Sequence, residues 1–103
     1  MKTIWKFPLE VTDCQTIKVP RYAGFLCVKA QNDTPVTYWG VDTDETDSNF
    51  YVFYIFGTGH PIPKDMKAPY YIDSVICNDG QLVWHIFSKD NLANRHSHLN
   101  ERI

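Results

Sequence analysis

The chain has 103 residues, 44% of them hydrophobic and 21% charged, with ten basic side chains against twelve acidic ones. That composition excludes a disordered chain, and the length excludes two domains with separate cores. The lysines and arginines are scattered from Lys2 to Arg102 without forming a block, which excludes a nonspecific nucleic-acid binder, since such binding needs clustered phosphate neutralisation. Cys14, Cys27 and Cys77 form no C-x-x-C pair, so neither a disulfide framework nor a zinc ribbon is expected. No run approaches the roughly 18 apolar residues of a membrane span, and the first residues lack a secretory apolar core. No membrane partner is expected, and the expected location is the cytoplasm.

Residues 3–11 alternate, with Trp5, Phe7, Leu9 and Val11 on one face. This predicts a half-buried strand, and Pro8 places it at an edge or strand end. Thr16 to Val19 is a second short strand closed by Pro20. Phe25 to Ala30 is the third, turned back by Gln31-Asn32-Asp33. Val36 to Val41 follows, with Tyr38 and Trp39 on opposite faces. Asp42 to Asn49 is a polar, acidic loop.

Phe50 to Phe56 reads FYVFYIF with no polar break. A strand with one wet face should alternate, so both faces of this one want cover. One face meets the core; the other meets the 60s loop, the C-terminal tail, a second copy or a partner. Residues 57–69 form a loop rich in Gly and Pro. Tyr70 to Cys77 and Leu82 to Phe87 are strands joined by Asn78-Asp79-Gly80-Gln81, because Asp-Gly supplies the positive φ that a hairpin turn needs. Cys27 and Cys77 lie in β-like runs and read as small core residues.

The expected fold is all-β: a small antiparallel barrel or sandwich of six or seven strands. The domain is drawn at 1–88. Residues 89–103 form a polar tail, either frayed or a short helix capped by Asp90 with Leu92, Leu99 and Ile103 near one face.

Two places carry candidate chemistry. Gly57-Thr58-Gly59-His60-Pro61-Ile62 can turn sharply, present successive N–H groups to an anion, and add a hydroxyl and an imidazole. As chemistry the motif is weak, and the plainer reading is a tight turn before an extended His-Pro step. His85 sits in an apolar row with Val83 and Phe87, either as a satisfied core histidine or as an acid–base partner of His60. The candidate ligand-binding set is therefore Gly57, Thr58, Gly59, His60 and His85. Asp42, Asp44, Glu45 and Asp47 lack the central Gly and terminal Glu of a calcium loop and read as a solvated tip. His96-x-His98 has no third ligand nearby, so no metal site is expected. No catalytic or cofactor motif is present, and neither an enzyme nor a cofactor is expected.

The segments Met1 to Leu9, Gln15-Thr16-Ile17, Tyr54 to Ile62 and Leu82 to Phe87 resemble a family of small, uncharacterised phage and prophage proteins. The resemblance runs over residues 1–87, with Gly-Thr-Gly-His-Pro and Val-Trp-His as its most specific marks. An aromatic stretch around 49–53 and the tail after residue 88 depart from it. It implies a phage accessory protein of the bacterial cytoplasm that acts by occupancy.

Three readings are carried forward. The first is a non-catalytic inhibitor of a host protein, acting in counter-defence through Trp39, Tyr51, Phe53, Tyr54, Asp44 and Glu45. The second is a homo-oligomeric binder of a small nucleotide-like signal at Gly57–Ile62. The third is a phosphodiesterase that pairs His60 with His85.

Overall fold

A computed structural model describes residues 1–66 and 69–92 of the chain. It contains seven strands: β1 (Lys2–Pro8), β2 (Cys14–Pro20), β3 (Gly24–Gln31), β4 (Thr34–Asp42), β5 (Ser48–Gly57), β6 (Tyr70–Cys77) and β7 (Leu82–Ser88). They form two antiparallel sheets, one ordered β1-β4-β3 and the other β2-β5-β7-β6. Of the two architectures expected, this is the sandwich; the sheets do not close into a barrel.

The turns form where local chemistry demands them. Asn32 and Asp33 take φ of 52° and 60° between β3 and β4, and Asn78, Asp79 and Gly80 take 53°, 54° and 88° between β6 and β7. Asn, Asp and Gly tolerate this left-handed region better than other residues. The two hairpin tips are tied together, because the Asn78 amide donates to Asp33 Oδ1 at 2.8 Å.

Trp39 is the centre of the core. It is fully buried, with Tyr51 at 5.0 Å and Phe25 at 5.3 Å between ring centroids and Phe53 edge-on at 6.5 Å. Its indole N–H donates to Thr37 Oγ1 at 2.8 Å, and that hydroxyl donates to the Phe7 carbonyl at 2.8 Å. Every polar atom of this buried chain therefore has a partner, as an apolar interior requires.

Two bulges reset which residues face inward. Between Phe25 and Cys27 the register against β4 slips by one, so Phe25 and Val28 both turn into the core and Cys27 turns outward. Cys27 is thus half-buried rather than a core residue, while Cys77 is buried as expected. Burial pushes the Cys77 thiol up from its ordinary pKa. A second slip falls between Tyr71 and Asp73.

The first strand is shorter than its alternation suggests. Pro8 ends β1, and Leu9 bends inward, where its amide donates to the Pro35 carbonyl at 2.9 Å. Phe7 and Leu9 reach the core. Trp5 overhangs the free edge of the sheet, and Val11 lies beyond the strand; both are exposed. Leu92 is buried in the same core as Phe53 and Ile86. The helix expected around Leu99 and Ile103, and the pair His96 and His98, lie outside the described residues.

Candidate functional site: the outer face of the four-stranded sheet

Strand β5 presents Tyr51, Phe53 and Ile55 to the core and Phe50, Val52, Tyr54 and Phe56 to the other side. On that outer side the register sets Tyr54 beside Cys14 and Phe87, and Phe87 beside Tyr71. The Phe87 ring meets Phe56 at 6.2 Å and Tyr71 at 5.6 Å, both edge-on. Such offset aromatic contacts add to plain area burial.

The Gly57–His60 segment is a β-turn. The His60 amide donates to the Gly57 carbonyl at 3.0 Å, and Gly59 takes φ of +86° at the third position, which a type II turn reserves for glycine. The Gly57 amide donates to His60 Nδ1 at 3.3 Å. Two of the amides expected to cradle an anion are thus spent inside the turn. A Cβ on Gly57 would lie 3.0 Å from the His60 ring and 3.2 Å from Trp84 Cζ3. Glycine at 57 leaves the space that the His60 ring takes up.

His85 lies elsewhere. Its Nε2 is 2.6 Å from Thr58 Oγ1, its Nδ1 is 2.7 Å from Ser74 Oγ, and Ser74 Oγ is 2.7 Å from the Tyr71 hydroxyl. The bulge in β6 makes this possible. In a regular strand residues 71 and 74 would point to opposite faces, but with Ile72 displaced toward the core, Tyr71 and Ser74 share the outer face. Hydroxyls can donate or accept, so the chain Tyr71–Ser74–His85–Thr58 satisfies both imidazole nitrogens.

The structure thus brings Thr58 and His85 together and keeps His60 apart. His60 packs toward Trp84, with ring centroids 6.4 Å apart. Trp84 and His85 are neighbours in one strand and point to opposite faces. The two imidazoles therefore lie on opposite sides of the sheet, and the paired-histidine geometry is not formed.

The expected partner surface also needs correction. Trp39 and Phe53 are fully buried and Tyr51 nearly so, so none of the three can touch a partner; each faces the opposing sheet. Tyr54 alone of the four aromatics is half-exposed. The carboxylates of the acidic loop are paired from within. Arg21 pairs with Glu45 and Asp47, the Met1 ammonium with Asp42 and Asp44, and Lys2 with Asp42. The Asp44 amide, then the Met1 ammonium, hold the Asp42 carboxyl below its ordinary pKa. The Met1 amine is raised by hydrogen bonds to Asp44 and then Asp42.

Sequence reasoning missed a groove of about 390 Å³ on the outer face of β5. Its walls are Cys14, Tyr54, Phe56, Pro63 and Met66, and Asp13, Asp65 and Lys89 stand around it. Pro63 and Met66 come from the loop after the turn, so part of the outer face of β5 is covered from within the chain. Phe50, further along the strand, stays 64% exposed. The signal for the groove was the unbroken apolar run of β5; nothing local pointed to Asp13, Ser74 or Lys89. Among the described residues no group of three His, Cys, Asp or Glu side chains is placed to hold a metal ion, and no helix is long and apolar enough to cross a membrane.

These features define a class: a two-sheet antiparallel β-sandwich with an apolar groove on the outer face of its larger sheet. The chain belongs to the family described as domain of unknown function DUF7352, whose model matches residues 1–97. No curated protein and no solved structure matches it.

Proposed function

We propose that this protein is a non-catalytic binding protein that takes a small organic ligand in the groove between Tyr54, Phe56 and the Pro63–Met66 loop. The observation that carries the reading is the groove itself. Its volume falls within the range of about 300–1,000 Å³ typical of ligand pockets, and a mostly apolar wall with a few charged groups is the usual composition of such sites. The Tyr71–Ser74–His85–Thr58 chain supports it by anchoring the start of the loop that forms one wall. The test is native mass spectrometry of the wild type and of Tyr54→Ala after exposure to polar and apolar metabolite extracts. A retained small mass in the wild type, lost in Tyr54→Ala, is the expected result. A wild type that takes up nothing from either extract sinks the reading.

A second reading, the inhibitor of a host protein, moves to a different surface. Ile4 and Trp5 are exposed on the free edge strand β1, beside a hollow of about 450 Å³ that Phe7 and Tyr38 also line. Exposed aromatics at an unpaired sheet edge suit strand addition by a protein partner. On this reading Trp5→Lys abolishes co-purification with the partner and Phe50→Lys does not. A phage origin and a counter-defence role belong to this reading as proposals.

A further inference from the structure

We infer that the groove selects a positively charged ligand, an amine carried on an aromatic or alkyl body, and rejects the phosphates of a nucleotide. The inference rests on the ligand-binding reading and deepens it by assigning the charge of the occupant.

Among the described residues, three charged side chains line the groove: Asp13, Asp65 and Lys89. Among the described residues none of the three forms an ion pair, in contrast to the acidic loop, where Arg21, Lys2 and the Met1 ammonium occupy Asp42, Asp44, Glu45 and Asp47. Two carboxylates against one ammonium give the described lining of the groove one net negative charge. Among the described lining residues a phosphate would meet two like charges and a single lysine, with no arginine fork to hold it. The turn offers it little more, since the Gly57 and His60 amides are already taken.

A cation meets the opposite arrangement. Its charge finds Asp13 and Asp65, and its apolar body lies on Tyr54 and Phe56, whose ring faces attract positive charge. Lys89 lines the groove with the two carboxylates, which favours an occupant with one ammonium over a polycation.

Cys14 makes the inference measurable. It lines the groove and is exposed, whereas Cys27 is half-buried and Cys77 buried. Alkylation of Cys14 by N-ethylmaleimide, mapped by peptide mass, therefore reports occupancy without any change to the protein. The probes are 2-phenylethylamine, 2-phenylethanol, phenylacetate and adenosine monophosphate, the first three nearly equal in shape and different in charge.

The expected result is protection of Cys14 by 2-phenylethylamine at concentrations about tenfold lower than by 2-phenylethanol, with little or none by phenylacetate or the nucleotide; a tenfold preference is the scale of one good charge contact. The double variant Asp13→Asn, Asp65→Asn should lose the preference for the amine and keep the weak protection by the alcohol. Protection that ignores charge, or that favours phenylacetate or the nucleotide, overturns the cation assignment and leaves the groove as a ligand site. Protection by none of the four overturns both.

Discussion

The two faces of β5 carry nearly the same chemistry and meet different fates. Tyr51, Phe53 and Ile55 face the opposing sheet and are buried around Trp39. Phe50, Val52, Tyr54 and Phe56 face away, and their burial runs from nearly complete at Phe56 to 64% exposure at Phe50. The gradient runs toward the loop that returns over the strand: Pro63 and Met66 face Phe56 and Tyr54 across the groove, while Phe50 stays open. An apolar strand thus serves two purposes, a core on one side and a partly roofed surface on the other.

Substituting the phenylalanines of this strand breaks the comparison most directly. Phe53→Ala should destabilise the fold by about 3–5 kcal/mol, because it opens a cavity against Trp39. Phe56→Ala should cost about 2 kcal/mol, because its ring is nearly buried and meets Phe87 edge-on. Phe50→Ala should stay within about 0.5 kcal/mol. Urea unfolding measures all three, and a Phe56→Ala effect as small as that of Phe50→Ala would show the Phe56–Phe87 packing to be loose.

The turn beside the groove gives the next effect. Gly57→Ala places a methyl group 3.0 Å from the His60 ring and 3.2 Å from Trp84. A loss of about 1 kcal/mol is expected, the low end for overpacking, because the exposed His60 ring can swing away. The same substitution in a His60→Ala background should cost less. Equal costs in the two backgrounds would mean that Trp84, and not His60, limits the space.

His85→Ala removes the link between Thr58 and Ser74. About 1 kcal/mol is expected for two hydrogen bonds at a half-exposed site. Hydrogen exchange should quicken at residues 58–66 and remain unchanged in β4. Unchanged exchange in the loop would show that other contacts hold it.

The smallest effect is electrostatic and lies at the far end of the molecule. The Asp42 pKa is lowered in the folded state, so its stabilisation is present above the ordinary value of 3.8 and fades as pH falls through the lower folded value. The Met1 amine is raised, so its stabilisation is present below the ordinary value of 8.0 and fades as pH rises through the higher folded value. The staple between the chain start and the acidic loop is therefore complete between these limits and weakens on both sides. Both groups are exposed, so Asp42→Asn should flatten the acid limb of the stability profile only slightly, and high salt should mask the difference.

Much of the fold is legible locally. Seven runs of alternating or continuous apolar residues become seven strands, and Asn32-Asp33 and Asn78-Asp79-Gly80 turn where their conformational tolerance predicts. Pro8 and Pro20 close β1 and β2, two of the four edge strands, as residues without an amide donor should. Of the candidate site, Thr58 and His85 were visible as residue types, and the structure joins them. Ser74 and Tyr71 were not, because only the bulge at Ile72 puts them on the same face.

By itself, then, the sequence determined an all-β domain, its strands and its turns, since alternation and turn propensity act over a few neighbouring residues. Which apolar face became core, where Cys27 points, how Arg21 silences the acidic loop and where the groove opens were decided by the tertiary structure. Each depends on residues far apart in the chain, and a one-residue slip in a strand reverses the face of everything beyond it.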